Sequence, residues 1–274
     1  MPADLHIHSN FSDGVDSPEE IVRLAAAAGL TAISLTDHDG IDGIERAEEE
    51  GRRAKVEVIP GIEFTTENPR AEIHILGYFI DYKDPELLSV LEKIQADRVK
   101  RIYKIVKKLK ALKVDIEPED VFSISGKKSP GRPHVARALI GRGAVSSFKE
   151  AFNRYLDFRA PAYVPHYKLS PEEAVRLIVK VGGIPVFAHP AISNSDEIIP
   201  DLVAEGLRGL EVYYPGYQPE RIERYLGLAR KYGLLVTGGS DFHGMESGRE
   251  VKLGELAIPD ELVEKLKNEH LRRN

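Results

Sequence analysis

Asp4-Leu5-His6-Ile7-His8-Ser9-Asn10-Phe11-Ser12-Asp13-Gly14, close to the amino terminus, reads as one short strand running straight into a polar turn. Successive side chains of a strand point to opposite faces, so His6 and His8 share one face while Leu5 and Ile7 take the other. Two imidazoles on one face can grip one cation, and Asp13 follows in the loop, where its carboxylate can reach a neighbouring cation or cap the turn. Taken alone, the pair is equally consistent with ordinary buried histidines. What falls at the other strand ends decides between these readings.

The chain has 274 residues, 42% hydrophobic and 30% charged, which suits one large α/β domain and leaves ample material for a core. No apolar run approaches the ~20 residues of a membrane span, and charged Asp4 arrives before any signal-peptide core could begin, so a cytoplasmic protein with no membrane association is expected. Cysteine is absent, which excludes disulfides, thiol nucleophiles and zinc–thiolate sites together, so any metal must be held by nitrogen and oxygen. A net charge of -6 argues against wholesale coating of nucleic acid.

Outward from the opening stretch, strand and helix signals alternate. Ser17-Pro18-Glu19-Glu20 is a helix start with a hydroxyl cap, and Gly29 ends the helix over about 18–28. Thr31 to Thr36 forms a β-rich run ending in Asp37-His38-Asp39-Gly40, and a polar helix follows over about 42–54. Val56 to Phe64 and Ile73 to Phe79 read as strands carrying Glu63 near the end of the first and His74 within the second. From Asp84-Pro85 the texture becomes helical, with Leu91, Ile94, Ile102, Ile105, Leu109 and Leu112 at three- and four-residue intervals. No strand signal returns before about residue 184, so 84–158 reads as an inserted helical subdomain between barrel segments 1–83 and 159–274, with short helices at 118–123, 133–141 and 147–156. A second start signal, Ser170-Pro171-Glu172-Glu173, then leads into Ile184 to Ala188 and His189, Gly209 to Tyr213, and Leu234 to Thr237 with Ser240-Asp241-Phe242-His243 beyond it. Seven strand candidates alternating with helices predict a parallel sheet closed into a barrel, with chemistry at the carboxyl ends of its strands.

Candidate ligands accumulate at those ends: His6, His8, Asp13, His38, Glu63, His74, His189, Asp241 and His243. So many ionisable groups in one cleft are costly unless cations compensate the carboxylates and fix the imidazoles. The set His6-x-His8, Thr36-Asp37-His38-Asp39, Gly61-Ile62-Glu63, His74, His189-Pro190 and Ser240-Asp241-Phe242-His243 resembles, in order, the motifs of the PHP (polymerase and histidinol phosphatase) superfamily. That resemblance implies a distorted (β/α)7 barrel. The insertion, with Gly131-Arg132-Pro133-His134-Val135-Ala136-Arg137-Ala138-Leu139, resembles the branch that removes the 3′-phosphate of nucleoside 3′,5′-bisphosphates or trims RNA from its 5′ end.

The resemblance also implies a ligand set. His6, His8, Glu63 and Asp241 would hold one cation, Glu63 would bridge to a second held by His74 and His189, and Asp13, His38 and His243 would hold a third. Two or three divalent ions are therefore expected, manganese first, with zinc, iron and magnesium compatible with the same donors. The expected reaction is phosphomonoester hydrolysis by a metal-activated hydroxide, with Asp37, Asp39 and His243 as aids to proton transfer. Ser9, Ser12 and Ser240 lack a free base and are not expected as nucleophiles.

Substrate recognition is assigned to Arg132, as a bidentate clamp on a second phosphate, with His134, Arg159, His166 and Lys168 beside it. The basic run Arg98 to Lys110 reads either as a track for RNA or as the solvated face of an amphipathic helix, and Tyr213, Tyr214 and Tyr217 either stack a base or pack the rim. The expected partners are a small phosphorylated nucleotide and RNA 5′ ends, with no obligate protein partner. Competing readings are a histidinol phosphatase, a two-metal amidohydrolase and a non-catalytic metal-binding module.

Overall fold

A computed structural model of the protein describes residues 2–125, 128–165, 167–245, 251–256 and 258–273. It begins with β1 (Ala3–Ile7), α1 (Pro18–Ala27), β2 (Ala32–Leu35), α2 (Ile44–Ala54), β3 (Glu57–Glu67) and β4 (Glu72–Tyr78). The insertion contributes α3 (Pro85–Ala111), α4 (Pro118–Ser125), α5 (Arg132–Gly141) and α6 (Phe148–Ala151), which runs into a π-helical turn at Phe152–Leu156. The chain then returns through α7 (Pro171–Lys180), β5 (Ile184–Phe187), α8 (Pro190–Ser193), α9 (Ile199–Glu205), β6 (Gly209–Tyr213), α10 (Pro219–Tyr232), β7 (Leu235–Gly238) and α11 (Asp260–Arg273). Both helix-start signals act as expected. Ser17 accepts a hydrogen bond from the Glu20 amide and Ser170 forms a reciprocal capping box with Glu173.

The seven strands lie in sequence order in one sheet. Neighbours are parallel except around β4, which runs antiparallel to both β3 and β5. The expectation of an all-parallel sheet is corrected on this point. Only four residues join β3 to β4, and Asn68 Oδ1 fastens that turn by accepting from the Arg70 and Ala71 amides, each at 2.8 Å. A parallel return needs a crossover of a dozen or more residues, so this hairpin can only be antiparallel. The hairpin also carries β3 on to Glu67, which places Glu63 in mid-strand rather than near the strand end.

The sheet nearly closes on itself. Ile7 bridges Phe242 in parallel, and the His8 amide donates to the Phe242 carbonyl at 2.8 Å. A Cβ at Gly239 would lie 2.5 Å from the backbone nitrogen of His6, so only glycine lets the segment after β7 approach β1 this closely.

Helix α3 spans two cores. Leu87, Leu91 and Ile94 pack with barrel residues such as Phe64, Ile73 and Ile178, whereas Ile102, Ile105 and Leu109 pack with Val121, Val135, Leu139 and Leu156 of the insertion. The insertion therefore has its own apolar centre yet is tied to the barrel by one continuous 27-residue helix. Among the described residues no helix is long and apolar enough to cross a membrane.

Candidate metal centre

The nine residues singled out at strand ends converge. Glu63 sits in the middle of them, fully buried on β3. Its Oε2 lies 3.3 Å from His6 Nε2, 3.1 Å from His8 Nε2 and 3.1 Å from His38 Nδ1. Its Oε1 lies 2.8 Å from His74 Nδ1 and 3.1 Å from His189 Nε2. Asp241 Oδ1 faces the same two nitrogens of His6 and His8, at 3.5 and 3.2 Å. Beyond His8, Asp13 Oδ1 stands 3.1 Å from His243 Nε2 and 4.0 Å from His38 Nε2.

Groups of donor atoms mutually within 4.8 Å are His6–His8–Asp241, His6–Glu63–His189, His38–Glu63–His74 and His8–Asp13–His38–His243. The expected third set thus gains His8, which faces both ends of the cluster.

Backbone strain accompanies this convergence. Asp39, His189 and Asp241 have φ values of 47°, 28° and 51°, in or at the edge of the left-handed region that non-glycine residues avoid. Each lies where the chain leaves a strand or its neighbouring loop to deliver a site residue, which is where strain is commonly stored.

The donors suit cations better than they suit one another. His6 Nε2 and His8 Nε2 lie 3.1 Å apart, both turned towards the same two carboxylate oxygens, while His6 Nδ1 engages Glu211 Oε1 at 2.9 Å. Two ring nitrogens pointed at each other and at carboxylates form a donor set for a metal ion.

The electrostatics agree. Burial opposes charging His8, but hydrogen bonds to Asp241 and Glu63, together with their charges, outweigh it and raise the imidazole to about 9. Burial is likewise overcome at His74, where Glu63 and Glu72 raise the imidazole to about 10. Glu63 and Asp13 stay well below the usual carboxylate range despite burial, held down by the surrounding imidazoles. His38 goes the other way, held well below the usual imidazole range by burial and by the neighbouring His8 and His74, so the cluster does not favour a proton on every ring.

Glu211 was not singled out from sequence, yet it is fully buried on β6 and reaches two candidate ligands. Besides His6 Nδ1, it accepts from the His189 amide at 2.7 Å. Its signal was a carboxylate in the apolar run Gly209-Leu210-Glu211-Val212-Tyr213. Tyr214 donates to Asp241 Oδ2 at 2.7 Å, and the Tyr217 hydroxyl accepts from the Ala191 amide at 3.0 Å. Tyr213, Tyr214 and Tyr217 do not line the cavity described below.

Two of the residues expected to move protons are otherwise engaged. Asp37 accepts from the Ser9 amide at 2.7 Å, the Ser9 hydroxyl at 2.6 Å and the Ser12 hydroxyl at 2.5 Å. Asp39 Oδ2 receives Arg98 Nε at 3.0 Å and its Oδ1 receives the Thr65 amide at 3.1 Å. Neither lines the cavity over the cluster, and both carboxylates are held by these contacts. His243 belongs with the metal donors, its Nδ1 against the Asp241 carbonyl at 2.7 Å.

That cavity, about 220 Å³, is lined by Asp13, His38 and His74 together with Arg98, Arg101, Arg132 and His134. Arg132 lines this cavity and is paired with Glu72 at 2.8 Å. His134 is buried, accepts the Gly131 amide on Nδ1 at 3.0 Å and is pushed down to about 4 by burial and neighbouring arginines, so it is neutral.

Three other expectations on substrate binding fare differently. Arg159 is exposed and stacks on Phe158 outside this cavity. Lys168 is consumed by Glu72 and Glu67. His166 lies outside the described residues. In their place stand Arg98 and Arg101, which are 5% and 3% exposed and therefore not part of a solvated helix face. Their signal was spacing, since Ile94, Arg98, Arg101, Ile102 and Ile105 fall on one stripe of α3.

A barrel end that gathers imidazoles and carboxylates from separate strands around shared donor sets defines a metal-dependent hydrolase. The chain belongs to the PHP domain family, whose model matches residues 4–160. It is similar to the 3′,5′-nucleoside bisphosphate phosphatase of Chromobacterium violaceum, with 32% identity over 255 residues and 90% of each chain covered. It is also similar to the 5′-3′ exoribonuclease of Haemophilus influenzae, with 33% identity over 265 residues, covering 93% of this chain and 96% of that one. Among solved structures, a metal-dependent phosphoesterase from Bifidobacterium adolescentis superposes with a TM-score of 0.90 at 32% identity, covering 99% of this chain and 96% of the other. The protein is a metal-dependent phosphoesterase of this family, and hence a hydrolase.

Proposed function

We propose that the enzyme removes the 3′-phosphate from nucleoside 3′,5′-bisphosphates. The observation that carries this reading is the set of three arginines, Arg98 and Arg101 buried and Arg132 partly so, that line the same cavity as candidate metal donors. Arg98 is neutralised by Asp39 and Arg132 by Glu72, but Arg101 Nη2 is buried with no hydrogen-bond partner among the described residues. Arg101 Nε donates to the Val164 carbonyl at 2.7 Å, and the guanidinium lies 5.7 Å from the centre of the Tyr163 ring, with no carboxylate paired to it among the described residues. Burial and the charges of Arg132 and Arg98 push this guanidinium down to about 10. A desolvated cation without a partner is costly, and a second phosphate on the substrate relieves that cost.

His6, His8, Glu63 and Asp241, with His74 and His189 around Glu63 and with Asp13, His38 and His243, would hold two or three divalent ions, manganese being the preferred choice for these N and O donors. Bound there, such ions supply Lewis-acid polarisation of the scissile phosphoryl group and an acidified water. The chain itself orients the substrate. Arg101 and Arg132 bind the distal phosphate by charge-assisted hydrogen bonds and set the 3′-phosphate against the metal donors. Neutral His134 adds no charge to the lining, and Arg98 is kept by Asp39 as a fixed part of it.

Histidinol phosphate fits poorly, because its ammonium group would face guanidinium groups. The test is phosphate release with manganese from adenosine 3′,5′-bisphosphate, 5′-AMP, histidinol phosphate and a 5′-phosphorylated oligoribonucleotide. The bisphosphate is expected to be the preferred small substrate, and activity confined to histidinol phosphate contradicts the proposal. Turnover of the oligoribonucleotide alone would move the assignment to RNA ends.

A further inference from the structure

The insertion also reaches back to the loops that carry metal donors. Arg137 of α5 donates from Nη2 to the Asp13 carbonyl at 2.7 Å, and the Ser129 hydroxyl, just before α5, donates to the His38 carbonyl at 2.7 Å. Among the described residues neither carbonyl accepts from a backbone amide of the barrel. The loop after β1 closes instead on the Ser9 carbonyl, which accepts from the Ser12 and Gly14 amides at 3.1 and 3.0 Å. The bridge between the loop after β2 and β3 uses the Asp37 carbonyl and the Asp39 amide, which leaves the His38 carbonyl to Ser129.

Both contacts fall on one donor group, since Asp13 and His38 belong with His8 and His243. The group His6–Glu63–His189 shares no residue with it and is held from within the barrel. There Glu211 of β6 engages His6 Nδ1 at 2.9 Å and the His189 amide at 2.7 Å. On the insertion side the two donors are themselves fixed. The Arg137 guanidinium lies 5.8 Å from the centre of the Phe148 ring of α6, and Ser129 is buried. A carbonyl that loses its donor away from water must find another or move, and the metal donor on the same residue moves with it. Partners that orient a ligand in this way govern how well it fits the ion.

We propose that Arg137 and Ser129 are positioning residues for the cation of the His8–Asp13–His38–His243 group, so that the insertion sets the affinity of that ion and leaves the ion of the His6–Glu63–His189 group to the barrel. The proposal rests on reading both groups as cation ligands. Helix α5 then carries two roles, since Arg132 and His134 at its start line the cavity while Arg137 holds a donor loop.

The test is a calorimetric titration of the metal-free protein with manganese, with bound metal counted by elemental analysis. Asp13→Ala marks the ion in question by losing it. Arg137→Ala is expected to weaken that same ion about tenfold or more, as other partners that orient metal ligands do, and to have no further effect in the Asp13→Ala background. Glu211→Gln is expected to act on an ion that Asp13→Ala retains. Ser129→Ala, a smaller change that keeps the test open should Arg137→Ala not fold, is expected to weaken the marked ion about two- to tenfold, the worth of one hydrogen bond. Wild-type affinities in Arg137→Ala or Ser129→Ala overturn the proposal, as does a loss by Arg137→Ala that persists in the Asp13→Ala background. A wild type that binds no more ions than Asp13→Ala overturns it as well. Phosphate release from adenosine 3′,5′-bisphosphate, recorded on the same proteins, separates the two proposals. Selective weakening without release of phosphate overturns the reaction and not the positioning, and release with unaltered affinities in the variants does the reverse.

Discussion

The two walls of the active cavity handle charge in opposite ways. The barrel wall, from β1, β3, β4 and the loops after β2, β5 and β7, mixes carboxylates with imidazoles, so protons or metal ions can balance it internally. The insertion wall, from α3 and the start of α5, carries guanidinium groups that cannot give up their charge, and Arg101 has no carboxylate partner among the described residues. The first wall can be completed by metal ions, whereas the second is completed only by an anion. Under the proposed function, catalysis and selection fall to separate parts of the chain, joined where Asp39, next to His38, grips Arg98 of α3.

The largest expected effect breaks the barrel wall alone. His8 faces both ends of the donor cluster, so His8→Ala is expected to lose bound metal and all detectable turnover while the distal phosphate still binds. Elemental analysis and calorimetry check this, and full metal content with normal activity would contradict it.

Breaking the joint comes next. Asp39→Ala leaves Arg98 buried without its partner, and loss of one member of a buried pair costs about 3–5 kcal/mol. Chemical denaturation should register that loss.

A smaller effect is expected behind the barrel wall. Glu211→Gln keeps the shape but removes the charge that orients His6 and His189, and such partners are worth about 10–100-fold in metal affinity. The change should appear in a metal titration, with binding of the bisphosphate to metal-free protein unaltered.

The contrast between the walls also explains what the sequence disclosed. The metal donors were legible because each sits in a short local pattern at a strand or its end, and strand alternation fixes the face of residues such as His6 and His8. The strand runs ending at Phe64 and starting at Ile73 leave eight residues between them in the sequence, and only the structure, by extending both strands, shows the four-residue hairpin that reverses β4. Arg98 and Arg101 were harder to recognise, because they lie within a run dense in lysine and only their coincidence with Ile94, Ile102 and Ile105 marks them as inward-facing. Arg159 misled for a related reason. Its charge and position suggested a clamp, but nothing local announces the left-handed backbone that turns it onto Phe158. Asp37 and Asp39 looked chemical by composition, and only the fold shows that serine hydroxyls and Arg98 already occupy them.

The central claim, that the insertion wall selects the substrate while the barrel wall turns it over, is tested most directly by kcat/KM for adenosine 3′,5′-bisphosphate and for 3′-AMP with manganese, in the wild type and in Arg101→Ala. Both compounds present the same 3′-phosphate and the same base, so they differ only in the distal phosphate. The wild type should prefer the bisphosphate. Arg101→Ala should lose about 10–100-fold on the bisphosphate, the worth of a hydrogen bond to a charged group, and leave 3′-AMP unchanged. Equal losses on both compounds, or a preference untouched by the substitution, would contradict the claim.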